Sequence, residues 1–129
     1  MSRDYRKLRV FDQADNLAHR IYAITKNFPR SEMFGLTSQL RPAALSVPTN
    51  IVEGSHRDSL AEYIRFLDIA LGSLAETGYL IEFAQSLGYI ENKDANELIN
   101  QRLECSRALK ALIDSFRQKL TIPNLSPKS

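Results

Sequence analysis

Two prolines, Pro42 and Pro48, stand inside a stretch that otherwise reads as a helix, Phe34 to Gly54. Leu36, Leu40, Ala43 or Ala44, Val47 and Ile51 recur at three and four residues and make an apolar stripe. Gln39, Ser46, Asn50 and Glu53 make a polar stripe on another face. Each proline removes one backbone hydrogen bond and crowds the preceding turn, so the segment is expected to be kinked. Neighbouring helices have to hold it in place.

The rest of the chain supplies those neighbours. A first helix is expected from about Val10 to Phe28, with Val10, Ala14, Leu17, Ile21, Ile24 and Phe28 as its stripe, ending at Pro29. Ser31 is a candidate cap for the second helix, which ends near Gly54. The third is expected from about Leu60 to Leu87, where Ser59 and Glu62 fit a capping box. It carries two adjacent stripes, so it is central or also faces another subunit. Gly72 and Gly78 invite a close approach there. The fourth is expected from about Lys93 to Leu120, with Asn92 as a cap, Cys105 on its apolar face, and Arg102 interrupting that face. Such an arginine either snorkels to solvent or meets a carboxylate. Short links between long helices predict an all-α, antiparallel, up-down-up-down four-helix bundle spanning residues 10–120. A basic arm, residues 1–9, precedes it, and a tail, residues 121–129, carries two prolines without periodicity and is expected to be disordered.

With 129 residues, 43% of them hydrophobic, the chain can build one real core. A single cysteine rules out an internal disulfide framework and a cysteine-based zinc site. No apolar run is long enough to span a membrane and no signal-type core follows the N-terminus, so a reducing cytoplasm is the expected compartment and no membrane partner is expected.

The bundle topology sorts the charges. Arg3, Arg6, Lys7, Arg9, Arg57, Arg65, Arg117, Lys119 and Lys128 fall at one end, against Asp4, Asp12, Glu53, Asp58, Glu62 and Asp114. The other end carries Glu32, Glu76, Glu82, Glu91, Asp94 and Glu97 against Arg20, Lys26, Arg30 and Lys93. A net charge of only +2 thus becomes one basic pole.

Catalytic motifs are absent: no Gly-rich phosphate loop, no nucleophile elbow and no Cys–His pairing. Glu53-Gly54-Ser55-His56 matches the Glu-x-x-His element of di-iron bundles, but such a site needs two of them, so neither a metal nor another cofactor is expected. Phe11, Tyr22, Phe28, Phe66, Phe83 and Phe116 sit on or beside apolar stripes and read as core. Tyr5, set among Arg3, Arg6, Lys7 and Arg9, either stacks on a base or packs under the bundle. The polar stripe reads as hydrogen bonds that fix register within or between subunits.

Three blocks carry a family likeness: Leu36-Thr37-Ser38-Gln39-Leu40-Arg41, Ser46-Val47-Pro48-Thr49-Asn50-Ile51-Val52-Glu53-Gly54, and Phe66 through Glu76. Over about residues 5 to 120 the chain resembles the bacterial four-helix-bundle family named after proteins encoded in intervening sequences of the large ribosomal RNA gene. The resemblance implies a homopentamer, a barrel with a central opening. It also implies kinship with accessory proteins of diversity-generating retroelements, which bind nucleic acid and a reverse transcriptase through a basic surface. It carries over no catalytic residue. Pro42 stands where the family usually has a second basic residue after Arg41, which thins any basic lining from helix two.

The expectation is a non-enzymatic, ring-forming helical protein. It would bind RNA or DNA, or a nucleic-acid-bound partner, weakly through Arg3, Arg6, Lys7, Arg9, Arg57, Arg117 and Lys119, each a phosphate contact. The alternative is a structural or protein-partner adaptor.

Overall fold

The computed structural model describes residues 3–121. The expectation of a disordered tail therefore lies, but for Thr121, outside the described residues. Four helices follow in order: α1 (Arg9–Thr25), α2 (Leu36–Ser55), α3 (Leu60–Ser86) and α4 (Asn92–Thr121). Short 3-10 turns, Tyr5–Lys7 and Arg30–Glu32, precede α1 and α2. Among the described residues there is no strand.

Helices α1 and α3 each pack against both α2 and α4, which closes a four-helix bundle. Late residues of one helix meet early residues of the next. Arg41 of α2 reaches back to Tyr22 and Thr25 of α1, Gly54 of α2 sits on Tyr63 of α3, and Gly78 of α3 sits on Arg102 of α4.

Helix α2 runs through both prolines without a break, and the described backbone contains no cis peptide. Pro48 is buried and Pro42 exposed. Each ring leaves one carbonyl, Ser38's or Ala44's, without its usual helical donor. Burial compensates: Leu40, Ala44, Val47 and Ile51 are each no more than 1% exposed. The polar stripe adds a joint to α3. Asn50 Nδ2 donates to the Ser46 carbonyl at 2.8 Å and to Ser46 Oγ at 2.9 Å, and Ser46 Oγ lies 2.8 Å from Ser73 Oγ.

The caps correct the sequence reading at one place. Ser31 does not start α2; residues 30–32 turn separately, and the helix opens at Leu36. Gly35 stands at the N-cap, and Glu32 Oε1 accepts from the first helical N–H, that of Leu36, at 2.9 Å. Ser59 does cap α3, accepting from the Glu62 N–H at 3.1 Å, while the Glu62 carboxylate turns to Arg65. Asn92 is the first residue of α4, and its Oδ1 accepts from Gln85 Nε2. Helix α1 stops at Thr25, so Phe28 reaches the core from the turn beyond.

Both stripes of α3 are used: Ile64, Leu67, Leu74 and Ile81 on one, Ala70, Thr77, Leu80 and Ala84 on the other, all buried. Gly78 admits the Arg102 guanidinium so closely that a Cβ there would stand 2.6 Å from Arg102 Nε. Arg102 meets no carboxylate among the described residues; half-buried, it lies against Gly78 of α3 with its Nε buried and unpartnered. Gly72 is exposed, and a Cβ there would meet nothing within 4 Å, contrary to the expected close approach. Tyr22 and Phe83, read as core, are 36% and 43% exposed. Cys105 is fully buried, and desolvation pushes its thiol up to about 12.

Candidate nucleic-acid interface

The N-terminal arm folds onto the bundle end and fixes several of the candidate cations. Asp4 caps the first turn by accepting from the Arg6 N–H at 3.0 Å. That bond, and then the Arg6 guanidinium at 3.2 Å, hold the Asp4 carboxyl below its usual range. Tyr5 packs: its ring meets Phe11 edge-on at 4.8 Å and the His56 ring at 6.4 Å. Arg3 crosses to the α2–α3 turn, where Nη1 donates to the Arg57 carbonyl. Its guanidinium stands 5.5 Å from the centroid of Tyr63, a ring only 3% exposed, whose hydroxyl is shifted upward by desolvation.

The cations then divide. Arg57 pairs with Glu53 at 2.9 Å, and Arg117 with Asp68 of α3 at 2.7 Å. Exposed pairs of this kind are weak, but they spend part of the field. Lys7, Arg9 and Lys119 have no carboxylate within 4.0 Å among the described residues. Arg3, Lys7 and Lys119 line one groove of about 340 Å³. Arg3 and Arg6 line a second hollow with Ser55 and His56. Neither hollow includes Arg9 or Arg117.

Aromatic rings lie beneath these charges. Arg57 and Arg65 both stand over Phe66, at 5.1 and 4.5 Å, and Lys119 stands over Phe116 at 5.6 Å. Such contacts hold a cation in place without cancelling its charge. The sequence reading missed them, although Phe116 and Lys119 are three apart on one helix and so share a face. It also missed Asp68 as the partner of Arg117.

The polar stripe is not one surface. Ser46 and Asn50 join α2 to α3, Glu53 is taken by Arg57, and Gln39 lines a separate hollow with Glu32, Gly35, Tyr79 and Phe83. Glu53 and His56 also go separate ways: His56 Nδ1 lies 3.0 Å from the Val52 carbonyl. Among the described residues no three His, Cys, Asp or Glu side chains gather as metal ligands, and no helix is long and apolar enough to cross a membrane.

These features define an all-helical bundle protein with cations displayed at one end. Residues 6–111 match the family described as 23S rRNA-intervening sequence protein, and the chain belongs to that family. A solved structure, a protein of unknown function from the S23 ribosomal protein family of Bacteroides thetaiotaomicron, is similar at 28% identity with a TM-score of 0.73. The match covers 81% of this chain and 97% of that one. The comparison with curated proteins gives no match. Neither description names a reaction.

Proposed function

We propose that this protein is a non-catalytic helical assembly module that contacts nucleic-acid phosphates through its basic end. The observation that carries the reading is the trio Lys7, Arg9 and Lys119, without a carboxylate within 4.0 Å among the described residues, beside Arg3 and Arg6. Arg57 and Arg117 join the contact only by exchanging Glu53 and Asp68 for phosphate. The family's description, which refers to ribosomal RNA, fits a nucleic-acid partner.

Assembly as a homopentamer belongs to the same reading. Tyr79 and Phe83 of α3 are 62% and 43% exposed, and Tyr22 and Leu45 form a second exposed apolar site between α1 and α2. Two different apolar faces suit a head-to-tail contact that closes into a ring, and a ring adds the fields of its basic ends. Light scattering gives the subunit number, and a salt series on a mixed oligonucleotide tests binding. Binding that weakens steeply with salt supports the proposal. Binding absent at low salt, or indifferent to salt, refutes it.

One observation favours the adaptor reading: Phe34, in the turn before α2, is 92% exposed beside Met33 at 53%. A side chain so placed suits a protein partner. A pull-down whose partners survive nuclease treatment would favour that reading.

A further inference from the structure

The groove between the arm, α3 and α4 has a composition that phosphate contact does not explain. Its floor is Leu8, Leu60, Leu112 and the rings of Tyr63 and Phe116, whose centroids are 5.0 Å apart. Its rim carries Arg3, Lys7 and Lys119, opposed by one carboxylate, Asp4, which Arg6 already engages. A purely electrostatic phosphate contact needs no such floor, whereas small-molecule sites are apolar hollows with a few polar groups at fixed places. The volume, about 340 Å³, holds one ring or one short chain and excludes a docked helix.

A second observation points the same way. Tyr63 lines the groove at only 3% exposure, and the Arg3 guanidinium stands 5.5 Å from its ring centroid, so the aromatic floor and one rim cation are held together.

We propose that this groove binds a small amphiphilic anion, with its hydrocarbon part against Leu8, Leu60, Leu112 and Phe116 and its carboxylate or phosphate head among Arg3, Lys7 and Lys119. A cationic rim selects the sign of the head, and the leucine floor selects the tail. The inference does not rest on nucleic-acid binding; a protein that ignores oligonucleotides can still fill this groove.

The test uses octanoate, octyl phosphate and octylamine as probes on the full-length protein, followed by NMR shifts of leucine methyls and aromatic rings. Saturable shifts centred on Leu8, Leu60, Leu112 and Tyr63 with octanoate or octyl phosphate, but not with octylamine, support the proposal. The stronger of the two anions names the head group. The double variant Lys7→Glu, Lys119→Glu changes only exposed side chains and should keep its unfolding midpoint while losing about tenfold or more in affinity. No saturation by either anion, equal binding of octylamine, or full affinity in the double variant overturns it.

Discussion

The two ends of the bundle use the same residue types for different work. At the end where α1 leads to α2, Glu32, Arg41 and Arg20 act as joints. Glu32 accepts from the first N–H of α2 and from the Tyr89 hydroxyl, both at 2.9 Å. Arg41 donates to Thr25 Oγ1 at 2.7 Å and to the Tyr22 carbonyl at 3.2 Å, and Arg20 ties α1 to Glu97 and Gln101 of α4. At the other end Lys7, Arg9 and Lys119 have no such commitment, and Arg3 and Lys119 rest over rings. A charge is informative about ligands only after its internal obligations are counted. Composition marks one end as basic; the bonds show which of its cations are left uncommitted.

The comparison can be broken most forcefully beneath the basic end. A Cβ on Gly54 would stand 2.8 Å from the Tyr63 ring and 3.0 Å from Phe66 Cβ, both packed side chains. Gly54→Leu should cost about 3 kcal/mol in urea unfolding. A neutral result would mean that the α2–α3 contact is loose and that the cations above it are not positioned. Next in size, Lys7→Glu with Lys119→Glu should weaken oligonucleotide binding at low salt about tenfold and make the salt dependence shallower, with stability changed by less than about 0.5 kcal/mol.

The mirror experiment lies at the opposite end. Arg41→Ala should lower stability by about 1 kcal/mol through its two lost bonds while leaving oligonucleotide affinity unchanged. If it weakens binding instead, the division between ends fails. Glu32 sharpens the contrast through pH. The Leu36 N–H and the Tyr89 hydroxyl hold its carboxyl below the ordinary 4.5. A depressed acid stabilises the fold above its unfolded value, and that contribution is lost as pH falls through the lower folded value. Thermal melts of Glu32→Gln should therefore fall below the parent at neutral pH, with the gap closing as pH drops below 4.5. The smallest effect expected is from Arg117→Ala: its half-exposed pair with Asp68 should be worth less than about 0.5 kcal/mol in the same urea assay.

Much of the bundle was legible because helix periodicity is a local property. Leu36 to Ile51 and Ile64 to Ile81 recur at three and four residues, and burial follows that rhythm. The Ser59 cap was legible for the same reason, since its partner is three residues away. What depended on distant chain was not legible. Glu32, rather than Ser31, meets the first N–H of α2, and its carboxylate also accepts from the hydroxyl of Tyr89, 57 residues on. The partner of Arg117, Asp68, lies 49 residues back across on α3, where no helical spacing reveals it. Tyr22 and Phe83 look like core on a helical wheel, yet the bundle is only two helices wide on each side and leaves them outside. The basic end was legible as a list of residues; which of them are committed to a partner was not.

The buried Cys105 has a practical corollary. The thiolate is the nucleophile that attacks a thiol reagent, and a thiol pushed up to about 12 inside a packed helix supplies almost none. A cysteine introduced at Lys119 would then be the only group in the folded chain to take a maleimide dye. Bleaching such dyes one at a time on single particles would count the copies in an assembly directly.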